Sequence, residues 1–98
     1  MNTDSIIKGS NGTVFIDGKY LSPEKSQEVY NHSPDGFNWG YGGSGPSQLA
    51  LALLLEFLSK DNALRSYQEF KWDIIAGLPK DFEITGKDIM NWIEKHAF

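Results

Sequence analysis

The sequence predicts an α+β domain. A small antiparallel sheet, built from N-terminal hairpins and a short strand near 82–84, packs on three helices, with the helix at about 46–58 buried at the centre. Three observations predict this. The first half holds short β-prone runs separated by Asn-Gly and Asp-Gly turn signals. The run LALALLLEFL, which starts at Leu49, is apolar on nearly every face, the mark of a buried helix. The second half repeats apolar residues at helical spacing.

In chain order, residues 1–5 are polar and read as a frayed start. Ile6, Ile7 and Lys8 suggest a first short strand, followed by a turn at Ser10, Asn11 and Gly12. Thr13, Val14, Phe15 and Ile16 make a strand, which Asp17 and Gly18 turn back into Lys19, Tyr20 and Leu21. Ser22 and Pro23 resemble a helix start, with about one turn expected through Ser26. Pro34, Asp35 and Gly36 form a turn signal between residues 28–31 and 37–39, which predicts a second β-hairpin. Pro46 suits the first position of the central helix, where its missing N–H loses nothing, so Gly45 is the expected N-cap. Gln48 would then reach back as in a capping box. Asp61 or Asn62 would cap a second helix from Ala63 to about Ala76, with Leu64, Tyr67, Phe70 or Lys71, Ile74 and Ile75 on its apolar face. Gly77 and Pro79 end it. Phe82, Glu83 and Ile84 alternate as a strand. Thr85 and Asp88 look like the capping box of a last helix, lined by Ile89, Trp92, Ile93 and His96 on one side.

The stretch with a ligand-binding design is Gly40 to Gly45, four glycines leading into the central helix. A glycine cap offers no side-chain oxygen, so the first-turn N–H groups need another acceptor: water, a nearby side chain or a bound anion. Candidate ligand-binding residues are therefore Trp39, Tyr41, Gly42, Gly43, Ser44, Gly45, Ser47 and Gln48, with Trp39 or Tyr41 as a stacking wall. The competing reading is structural, with the glycines letting the backbone turn sharply against the buried helix. The spacing Gly40-x-Gly42-x-x-Gly45 fits the dinucleotide fingerprint in letters only. A long parallel strand before it and a second strand after the helix are missing, and Asp61, the nearest acidic candidate, sits at a helix start. A kinase glycine loop is excluded, because 98 residues cannot hold the rest of that machinery.

Residues 31–37 (NHSPDGF), 39–46 (WGYGGSGP) and 48–52 (QLALA), with Tyr67, Gln68, Phe70, Lys71 and Trp72, resemble small bacterial and phage proteins grouped as domain of unknown function 6166. The resemblance covers most of the chain from Thr13 onward. It implies a single-domain protein of the kind often met in phage or mobile-element settings, and it implies no particular activity.

The whole chain, 1–98, reads as one domain. Cysteine is absent, which removes thiolate and disulfide chemistry and fits a reducing cytoplasm. Ile6 and Ile7, followed by Lys8 and Gly9, are too short for the apolar stretch of a signal peptide. Glu56 interrupts the central apolar run well short of the roughly 20 residues a membrane span requires. The net charge of −4, a single Arg and eight scattered Lys speak against nucleic-acid binding. Two His and no Cys predict no metal site, and no cofactor is expected. A Ser44 or Ser47 nucleophile with His32 and Asp35 remains a hydrolase alternative. The carboxylates Glu24 and Glu28, or Glu69 and Asp73, lie four apart, as solvated helix faces do.

Three functions follow. The first is a non-enzymatic interaction module, a phage or mobile-element accessory factor that binds a protein partner, with Trp72 as candidate partner-binding anchor. The second binds or sequesters a small anionic ligand, a nucleotide or phosphate, at the glycine segment. The third is a small Ser/His hydrolase. Oligomeric state is left open.

Overall fold

The computed structural model describes residues 2–96. Strand β1 (Ile6–Ser10) pairs with β2 (Thr13–Ile16), and β2 pairs with β3 (Lys19–Tyr20). Both connections are two-residue turns whose central residues all have positive φ: 52° and 77° at Asn11 and Gly12, 52° and 79° at Asp17 and Gly18. That geometry matches the twist of the flanking strands. Strand β4 (Phe82–Thr85) returns late in the chain to pair with β1, giving an all-antiparallel sheet of order β3-β2-β1-β4. Its inner face carries Ile7, Val14 and Phe82 into the core. Gly9 sits opposite Phe82, and a Cβ there would lie 2.2 Å from the Phe82 ring, so the missing side chain makes room for the aromatic one.

The helices are α1 (Glu24–Val29), α2 (Ser44–Leu55), α3 (Lys60–Asp73) and α4 (Gly86–Lys95), with a 3-10 turn at Ile75–Gly77. Helix α2 is the centre of the core: every residue from Gly45 through Leu54 is buried. Ser59 caps α3 by accepting from the Asn62 N–H. Thr85 and Asp88 form the predicted capping box of α4. Phe70 and Trp92 join α3 to α4 edge to face, 5.0 Å between ring centroids. The architecture is α+β, as predicted, and no helix of the described residues is long and apolar enough to cross a membrane.

Three expectations are corrected. The second β-hairpin does not form. Residues 24–29 are helix α1, and residues 37–39 run as irregular chain. The turn itself exists, with the Gly36 N–H donating to Ser33 C=O, but neither flank pairs as a strand. Helix α2 starts two residues early, with Gly43 as N-cap and Pro46 third in the helix. Helix α3 starts at Lys60 and gives way to the 3-10 turn after Asp73.

Candidate functional site

Gln48 explains how the chain between α1 and α2 is held without a hairpin. Its side chain is fully buried on α2 and makes four hydrogen bonds. The carbonyl oxygen accepts from the His32 N–H at 2.8 Å and the Ser33 N–H at 3.0 Å. The amide donates to Ser26 Oγ at 2.9 Å and to the Tyr30 C=O at 3.1 Å. One side chain thus satisfies the backbone that a strand ladder would otherwise have satisfied. Gln48 is a clamp, and it does not cap its own helix.

The clamp sets His32 against α3. Its Nε2 is hydrogen-bonded to the Tyr67 hydroxyl, and its ring stacks on Tyr30, 4.3 Å between centroids. Burial holds the imidazole below the ordinary histidine range, and the charge of Lys71 pushes it the same way. His32 is therefore paired with a tyrosine. Ser47, the other half of the hydrolase alternative, is buried and donates to Gln68 Oε1 at 3.4 Å.

Residues 40–45 are largely filled by the protein's own side chains. A Cβ on Gly42 would meet the Trp72 ring at 2.0 Å, and one on Gly43 would meet the Tyr41 ring at 2.5 Å. A Cβ on Gly45 would lie 2.6 Å from that of Asn38. These glycines bring rings and backbone into direct contact. The first bond inside α2 runs from the Ser47 N–H to the Gly43 C=O, and Pro46 has no N–H, so only Ser44 and Gly45 offer free donors ahead of it. Ser44 is exposed and Gly45 is buried. Trp39 lies in the core, where its indole N–H donates to the carbonyls of Pro79 and Lys80 and its ring packs edge-on against Phe82. It is no stacking wall. Beside it, an open cleft of about 580 Å³ is lined by Asn38, Gly40, Leu78 and Lys80.

Two aromatic rings stay exposed beside the glycine segment. Trp72 is 62 % exposed and Tyr41 50 %, although each ring rests on glycine backbone. Lys71 approaches the Trp72 ring to 4.5 Å from its centroid. Lys71 is only 7 % exposed, yet it pairs with no carboxylate among the described residues. Its aliphatic stem is covered, while the ammonium is not a buried unpartnered atom and so reaches the surface beside the indole. Trp72 on Gly42 and Tyr41 on Gly43 form the candidate platform, with the exposed Ser44 next in the chain, whereas Trp39, Gly45, Ser47 and Gln48 of the predicted set are buried. Lys71 escaped sequence reading because its position in α3 also fits the apolar stripe.

No curated protein and no solved structure matches the chain. The model of a family described as "Family of unknown function (DUF6166)" matches residues 4–95, and the chain belongs to that family.

Proposed function

We propose that this member of a family of unknown function is a non-enzymatic interaction module that docks an acidic segment of a partner protein on the Trp72 and Tyr41 platform. The observation that carries this reading is Lys71, whose stem is covered and whose ammonium lies against the exposed indole, paired with no carboxylate among the described residues. A cation lying against the face of an aromatic ring, beside the positive end of α2, favours a carboxylate in the occupant. Two exposed rings supply the apolar area such a segment would cover, and Trp and Tyr are the residue types that most often anchor interfaces.

The pairing of His32 with Tyr67, and of Ser47 with Gln68, lends the hydrolase alternative no support. The small-anion alternative shares the Lys71 chemistry and becomes an outcome of the same test. A display library of random peptides is selected against the purified protein, and the enriched peptides are titrated against wild type, Lys71→Gln and Trp72→Ala. Sequences with Asp or Glu beside an apolar residue should emerge, with affinity at least tenfold weaker for both variants. Inorganic phosphate and ATP are titrated in parallel. If they bind through Lys71 and the peptides do not, the small-ligand reading replaces the docking one. Peptides that bind both variants as tightly as wild type would refute the platform.

A further inference from the structure

Glu69 and Asp73 lie one turn apart on α3, and the fold brings His96, at the C-terminal end of α4, up to both. His96 Nε2 lies 3.4 Å from Asp73 Oδ2 and 3.6 Å from Glu69 Oε1, and the three ligand atoms fall within 4.8 Å of one another. Two donor atoms bound to one tetrahedral ion at about 2.0–2.1 Å are roughly 3.3 Å apart, close to the spacing His96 makes with each carboxylate.

The surroundings orient these groups from outside the trio. His96 Nδ1 lies 2.8 Å from the Trp92 carbonyl, a distance at which Nδ1 donates to it, so Nε2 is the ring nitrogen that faces the carboxylates. The imidazole is stacked on the Trp92 ring, 4.2 Å between centroids and 19° between planes. The same Trp92 donates its indole N–H to Asp73 Oδ2 at 2.8 Å. A histidine fixed by a backbone carbonyl and a carboxylate fixed by a neutral donor are the supports that metal ligands ordinarily have.

The geometry points to a site for a divalent transition-metal ion of the zinc class, held by Glu69, Asp73 and His96. An imidazole with two carboxylates suits zinc, and the imidazole disfavours magnesium and calcium, which take oxygen ligands. The ion would tie the end of α4 to α3, next to the contact between Phe70 and Trp92, and so act as a staple. The proposal is independent of the platform, which uses other residues of α3.

The test is calorimetric titration of the full chain with zinc chloride in a non-chelating buffer, with thermal melts in zinc and in magnesium. Saturation at one ion per chain is expected, with a rise in Tm that zinc gives and magnesium does not. His96→Gln and Asp73→Asn should each weaken binding at least tenfold and remove the rise, whereas His32→Gln should leave both intact. The variants sit at partly exposed positions, and circular dichroism checks their folding. Absence of saturable heat, binding unchanged in His96→Gln, or binding lost in His32→Gln would each overturn the site.

Discussion

Replacing Gln48 by Leu tests the clamp. The change keeps roughly the volume of the side chain and removes four hydrogen bonds: two accepted from the His32 and Ser33 N–H groups, two donated to Ser26 and Tyr30. Each bond contributes about 0.5–1.5 kcal/mol net, and a buried group left without a partner costs about 1–3 kcal/mol. Tyr30 is exposed, so its carbonyl can find water, and Ser26 keeps its bond to the Pro23 carbonyl. The half-buried N–H groups of His32 and Ser33 cannot be rehydrated as readily. Leu also gains some apolar burial. The expected net loss is about 3 kcal/mol, a large part of the roughly 5–15 kcal/mol that holds a domain together. Urea denaturation reads it as a midpoint lowered by about 2–3 M at a slope near 1–1.5 kcal/mol/M. Gln48→Glu separates the two halves of the clamp. It keeps both accepted bonds, loses the donated ones and buries a charge. Burial raises that carboxyl above its unfolded value of about 4.3, so its penalty is absent below about pH 4 and grows as pH rises through the folded value. A Leu variant within about 0.5 kcal/mol of wild type, or a Glu variant whose deficit ignores pH, would refute the clamp.

Two further predictions use the glycines and His32. Gly42→Ala should push aside the exposed Trp72 ring, changing stability by less than about 0.5 kcal/mol but weakening selected peptides at least tenfold. Gly45→Ala meets the Asn38 Cβ at 2.6 Å and its backbone nitrogen at 3.0 Å, so thermal melts should show a loss of about 1–3 kcal/mol. His32 is held below its unfolded value of 6.5, so the unfolded chain binds the proton more readily. Its contribution is complete above about pH 6.5 and falls as pH drops from there through the folded value. His32→Gln should flatten the dependence of urea midpoint on pH in that window, and an unchanged slope would show that the imidazole is not desolvated by the fold.

Local chemistry made much of the fold legible. Asn11, Gly12, Asp17 and Gly18 announce their turns because few other residue pairs accept positive φ twice in succession. Thr85 and Asp88 announce a helix start because each satisfies the other's backbone. The long apolar run of α2 leaves burial as its only outcome. The false hairpin has a physical origin too. Val29, Tyr30, Phe37 and Trp39 have the composition of strands, and β propensity reports fit to a half-buried surface more than a backbone preference. Val29 instead closes helix α1, the Trp39 N–H donates to the Asn38 side chain, and Gln48 bonds the Tyr30 carbonyl and the N–H groups of His32 and Ser33. A lone long polar side chain inside an otherwise apolar helix was the signal available for that. The platform was half legible, since Trp72 stood off the apolar stripe and glycines stood before α2. That the Trp72 ring would settle on Gly42 depends on a contact spanning 30 residues, and no local pattern carries it. His96 and Asp73 are likewise joined only by how α4 docks.

Native-state hydrogen exchange across the chain probes the scaffold beneath all of these sites. If α2 is the rod on which the clamp and the platform are fixed, amides at Leu49, Leu51, Leu53 and Leu54 will exchange only through global unfolding, at the free energy found from urea denaturation. Exchange of those amides through a local opening, while β1 and β2 stay protected, would contradict it.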